Sequence, residues 1–101
     1  MTGSLLPNLK KYRALLSHQP DREEANLLRM VSTIVSGIRH WKGYSLDTFA
    51  NRLGVDKELI IIVEIGEGDA RNALHILRLA CQLVVSDGNG RVGMSGVGAG
   101  K

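Results

Sequence analysis

Residues 39–66 read RHWKGYSLDTFANRLGVDKELIIIVEIG. Two short amphipathic segments sit inside this stretch, separated by a glycine. Ser45 stands where a helix begins, because its hydroxyl can accept a backbone N–H of the first turn. Phe49, Ala50 and Leu53 then recur at helical spacing, which predicts a helix over 46–53 with those three side chains inward. Gly54 tolerates the left-handed backbone of a tight turn. Asp56 is a second capping residue, and a further helix is predicted over 57–64. Its run Leu59–Val63 is rich in β-branched residues and would suit a strand on composition alone. The caps and turns around it all agree on helix, and agreement between levels outweighs local propensity. Gly66 and Gly68 end it.

Longer helices flank this pair. Upstream, Asp21 with Glu24 forms a capping-box-like start. Leu27, Leu28, Val31, Ile34, Val35, Ile38 and Trp41 follow as a helical stripe, and Gly43 is a natural stop. Downstream, Ala73, Leu74, Ile76, Leu77, Ala80, Leu83 and Val84 give an apolar face to a helix from about Asp69 or Ala70 to Val85. Residues 1–20 read as a short basic arm carrying Lys10, Lys11 and Arg13, with one or two helical turns between Pro7 and Pro20. The helical domain spans 21–85. From Ser86 on, the glycine-rich stretch over 86–101 has little to bury and is expected to be a flexible, disordered tail. Its terminal GAGK is not a phosphate loop, which needs an earlier glycine at the position of Ser95 and a hydroxyl residue after the lysine.

A chain of 101 residues holds one domain at most. Its four aromatic residues, Tyr12, Trp41, Tyr44 and Phe49, leave the core to aliphatic side chains. The formal charge of +3 permits a polyanionic partner without demanding one. Cys81 is the single cysteine, so no intrachain disulfide forms, and it is expected as a small buried hydrophobe. No apolar run approaches the roughly 18 residues that span a bilayer, and the first residues lack the order of a signal peptide. A soluble cytoplasmic protein without membrane association is expected. His18, His40 and His75 show no metal-ligand spacing, and no acidic pair or nucleophile–base set clusters in the sequence. Neither an enzyme nor a cofactor is expected.

Arg39, Gly43, Ser45, Phe49-Ala50, Leu53-Gly54-Val55, Ile60 and Val63-Glu64-Ile65-Gly66 fall, without gaps, at the positions of a known pattern. That pattern resembles the Xre/Cro-like (lambda-repressor-like) helix-turn-helix family over about residues 34–85. The resemblance implies an all-α domain of four to five helices and a DNA-binding transcriptional regulator. It also implies a homodimer on double-stranded DNA, with residues 57–64 as the recognition helix. The DNA-facing set expected on this basis is Lys42, Ser45, Arg52, Lys57, Glu58, Leu59, Ile61, Ile62 and Arg71, with Lys42 and Arg71, which flank the two short helices, read as phosphate clamps from that position. Arg39 and Glu64 take positions that the family commonly joins in a structural ion pair.

Two departures keep a second function open. The first position of the helix over 46–53 is Leu46, where the family often has a glutamine that contacts phosphate. Across 43–66 the two basic residues, Arg52 and Lys57, face four acids, Asp47, Asp56, Glu58 and Glu64. This is a poor local balance for phosphate neutralisation. An apolar Leu59/Ile61/Ile62 face would equally suit a protein partner, as in an antitoxin, an anti-activator or another regulatory accessory.

Overall fold

The computed structural model describes residues 9–92, and every regular element among them is helical. A 3-10 turn at Leu9–Tyr12 leads into α1 (Arg13–Leu16). Then come α2 (Arg22–Lys42), α3 (Leu46–Leu53), α4 (Lys57–Glu64) and α5 (Ala70–Val92). No described helix is long and apolar enough to cross a membrane.

The caps form largely as the residue types dictate. The Asp21 carboxylate accepts the Glu24 N–H at 2.8 Å, and the Ser45 hydroxyl accepts the Thr48 N–H at 3.1 Å. At the end of α2, Gly43 adopts φ +70°, and the Tyr44 N–H returns to the Arg39 carbonyl at 3.1 Å. This backbone bond closes carbonyls that a helix end otherwise leaves open. Asp56 departs from expectation: it occupies the cap position of α4, but its side chain makes no capping bond.

One core joins the four longer helices. Leu28, Val31 and Val35 of α2 meet Phe49, Ala50 and Leu53 of α3, Ile60 and Val63 of α4, and Ala73, Ile76 and Ala80 of α5. The inward face of α2 is narrower than its sequence stripe. Ile34 and Trp41 are exposed, since at about 100° per residue they lie about 100° and about 120° around the helix from the buried Val35. Leu74 is exposed on α5 for the same reason. Cys81, expected inside, is exposed: it follows the buried Ala80 by one residue and so turns away from the core.

The arm is docked. His18 Nε2 lies 2.8 Å from Glu24 Oε1, and the other oxygen of Glu24 accepts the Ala70 N–H at 2.8 Å, where the α5 dipole favours a negative charge. Leu15 reaches Gly68, a buried residue at φ +88°. A Cβ there would stand 2.9 Å from Ile62 Cγ2 and 3.3 Å from Leu15 Cγ. Both the backbone angle and the closeness of these two side chains call for glycine at this point.

The arm contact carries a pH signature. Its hydrogen bond to Glu24 raises the His18 pKa above the ordinary 6.5, and His18, followed by the Ala70 N–H, lowers Glu24 below 4.5. The pair is therefore complete between those two values. Its contribution fades as pH rises through the raised His18 pKa, and fades again as pH falls through the lowered Glu24 pKa. Followed by NMR, the His18 titration midpoint should lie above 6.5 and drop towards it in Glu24→Gln. An unmoved midpoint would dissolve the contact as a charge pair.

Helix α5 overruns its sequence expectation. It was predicted to end near Val85 with a flexible tail after it, yet it continues to Val92. The physical reason is Asp87, whose carboxylate is gripped by side chains of other elements. Residues 93–101 of the expected tail, and residues 1–8 of the arm, lie outside the described residues.

Candidate functional site

The short helices α3 and α4 are joined by three residues, Gly54–Asp56. Gly54 takes φ +74°, and its N–H, like that of Val55, returns to the Ala50 carbonyl. This turn reverses the chain tightly enough that Leu53 and Ile60 enter the same core. The far end of α4 is fastened to α2. Arg39 Nε and Nη2 bind Glu64 Oε2 and Oε1 at 2.7 and 3.0 Å, and Nη1 donates to the Tyr44 carbonyl at 3.2 Å. The pairing is bidentate and largely shielded, with side chains 19% and 14% exposed. The Ser32 hydroxyl adds a bond to the Glu64 carbonyl at 2.6 Å. The ion pair between Arg39 and Glu64 is thus present, as the resemblance implied.

The residues expected on the outer face of α4 divide sharply. Ile62 is fully buried, so it reaches neither a groove nor a partner. Leu59 is half-buried and packs against the core, and it too belongs mainly to the interior. An eight-residue helix held by α2, α3, α5 and the arm leaves only a narrow outer strip. On that strip Lys57, Glu58 and Ile61 remain half-buried, followed by Ile65, which is 58% exposed.

Most cations of the expected set already have carboxylate partners. Lys57 Nζ lies 3.1 Å from Asp47, and Lys11 Nζ lies 2.9 Å from Asp56. Tyr12 also donates its hydroxyl to Asp56. This bond, with Lys11 second, keeps the Asp56 carboxyl below the usual carboxylate range. The arm therefore reaches the residue that precedes α4, and the contact stays at the surface, with the Lys11 and Asp56 side chains 60% and 47% exposed. Lys42 is not the open phosphate clamp the sequence suggested: its side chain is 14% exposed and its Nζ lies 3.0 Å from Asp87. Arg52 donates to the Tyr44 hydroxyl at 3.0 Å and approaches Asp87 at 3.4 Å. Ser45 spends its hydroxyl on Thr48. Arg71 is exposed, at the rim of a cleft shared with Leu15, Leu74 and Arg78, and pairs with no acid among the described residues.

Asp87 and Tyr44 are the residues that sequence reasoning missed. The Tyr44 hydroxyl donates to Asp87 Oδ2 at 3.0 Å, so one carboxylate gathers Lys42, Tyr44 and Arg52. The signal was present in spacing. Ala73, Ile76, Ala80 and Leu83 mark the inner stripe of α5, and Asp87 is its next member. The glycines around it hid the continuation.

Compared with models of protein families, with curated proteins and with solved structures, the chain matches none.

Proposed function

We propose that α3, the Gly54–Asp56 turn and α4 form a helix-turn-helix of the Xre/Cro-like kind. On this basis the protein is a cytoplasmic, DNA-binding transcriptional regulator acting as a homodimer on duplex DNA. The observation that carries this reading is the clamp on α4. Its last turn is bound to α2 through the Arg39–Glu64 pair, while Lys57 and Glu58 of its first turn and Ile61 of its second form a half-buried strip that still meets solvent. A helix fixed at its C-terminal end, presenting its N-terminal residues, suits insertion into a major groove. Lys57 and Arg71 supply phosphate contacts, and Ile61 offers an apolar contact to thymine methyls. Gel shifts against genomic fragments, titrated with salt, test this directly. The expected result is retention of a preferred fragment that weakens steeply as salt rises. Absence of both sequence preference and salt-dependent retention at low salt would overturn it.

A second reading has its own support. Lys57 and Lys11 are neutralised by Asp47 and Asp56, and the strip between them and the end of α4 is apolar at Ile61 and Ile65. Such a surface suits a protein partner in a regulatory accessory. Ile61→Lys separates the two. The added charge strengthens DNA retention if the groove is the target, and weakens a protein complex if the helix docks on another chain.

A further inference from the structure

We propose that Lys42, Tyr44 and Arg52 form a phosphate-binding site now filled by the Asp87 carboxylate, and that a backbone phosphate of duplex DNA takes the place of Asp87 when the end of α5 lets go. The inference rests on the DNA-binding reading above and adds to it a site and a switch.

The donors are those that hold phosphate oxygens elsewhere: an ammonium, a phenol and a guanidinium. They converge on one carboxylate at 3.0, 3.0 and 3.4 Å. Two positive charges therefore answer one negative charge, and a single anion there is well matched. The donors are also held in place by contacts that do not involve Asp87. Lys42 Nζ stands 5.3 Å from the Trp41 ring centroid, and the Arg52 guanidinium 5.4 Å from that of Tyr44. The Tyr44 ring stacks on the buried Phe49, with centroids 6.1 Å apart. The site would keep its shape with the carboxylate gone.

The carrier of the carboxylate is the weak partner. Asp87 lies in the last turns of α5, where the helical sequence SDGNGRV contains Gly88 and Gly90. Glycine lowers helix stability more than any residue except proline. The carboxylate is held by three side chains but carried on a helix end that its glycines weaken, and a competing anion need only replace the one while the other frays.

Asp87→Asn removes the competing charge while keeping the shape of the side chain, and Asp87→Ser repeats the change with a smaller group. Circular dichroism confirms the fold of each. At about 50 mM salt, both variants should bind duplex DNA roughly tenfold more tightly than the native chain. The slope of log affinity against log salt should steepen by about one, for the one phosphate that the site neutralises. Adding Lys42→Gln and Arg52→Gln to Asp87→Asn should cancel the gain. Inorganic phosphate, titrated into the same variants by NMR, should shift the Tyr44 resonances, and should not do so in the triple variant. If phosphate leaves Tyr44 unmoved in the Asp87 variants, the anion site falls. If phosphate binds there but no form of the protein retains DNA, the site stands, and both its DNA ligand and the DNA-binding reading are overturned.

Discussion

Glu64→Ala is expected to lower the melting midpoint by more than about 10 °C, while Glu67→Ala shifts it by no more than a few degrees. Glu67 is an exposed surface residue, and such changes stay within about 0.5 kcal/mol. Glu64 is different because of what it leaves behind. Its two oxygens take two N–H groups of Arg39 in a fork that is mostly out of water. Alanine would strand the guanidinium with one remaining acceptor, the Tyr44 carbonyl. Breaking a fully buried pair costs about 3–5 kcal/mol, and an exposed one about 1 or less. The shielding here places the loss near ~3 kcal/mol, and a domain of this size loses about 4–8 °C per kcal/mol. The same change also releases the last turn of α4 from α2, so any DNA affinity should fall with it. Equal midpoints for the two variants, measured by thermal denaturation, would strike the pair from the account of stability.

Much of this architecture is legible in the residues, and the rest is hidden for identifiable reasons. Local chemistry reads well: Ser45, Gly43, Gly54 and Asp21 act within a few residues of themselves, and their roles follow from side-chain type alone. The bounds of α3 follow from Ser45 and Gly54. Long-range charge does not read locally. Asp56 looks like a cap, but Lys11 and Tyr12, more than 40 positions away, claim its carboxylate. Asp87 looks like the start of a glycine-rich tail, yet Lys42, Tyr44 and Arg52 make it part of the domain. In both cases a tertiary contact outweighs a propensity that favours loop. The outcome for the candidate site is the same in each instance: cations that seem free along the chain are paired in space.

That pairing bears on how a helix-turn-helix of this composition would work. Affinity for a polyanion comes from cations able to exchange an internal carboxylate for a phosphate. Lys42, Arg52, Lys57 and Lys11 each face such an exchange, with Asp87, Asp47 and Asp56 as the groups displaced. Binding would then be weak until those carboxylates move, and its salt dependence would steepen as they do. An apolar partner meeting Ile61 and Ile65 requires no such exchange. The charge arrangement therefore makes the salt dependence of binding, more than its strength, the property that distinguishes the two functions.

The isoleucines of α4 offer the other large effect. Ile62→Ala should cost about 2–5 kcal/mol, the range for emptying a buried aliphatic site, while Ile61→Ala should cost about 1 kcal/mol or less. Adjacent and chemically identical, the two residues differ only in what surrounds them. Ile60 enters the common core, and Ile62 is fully buried on another side, where a Cβ on Gly68 would meet both its Cγ2, at 2.9 Å, and Leu15 of the arm, at 3.3 Å. Only Ile61 keeps contact with solvent. Because α4 is covered on more than one flank, a single helical stripe cannot describe it, and the sequence pattern LIIIV gives no hint of which member stays outside. Urea denaturation reads the difference as a shift in midpoint at constant slope. A similar shift for both variants would mean that the arm does not seal Ile62, and the outer strip of α4 would then be broader and more apolar than described. A large loss confined to Ile62→Ala instead makes the arm part of the folded unit, and leaves Ile61 as the one isoleucine of α4 available to a groove or a partner.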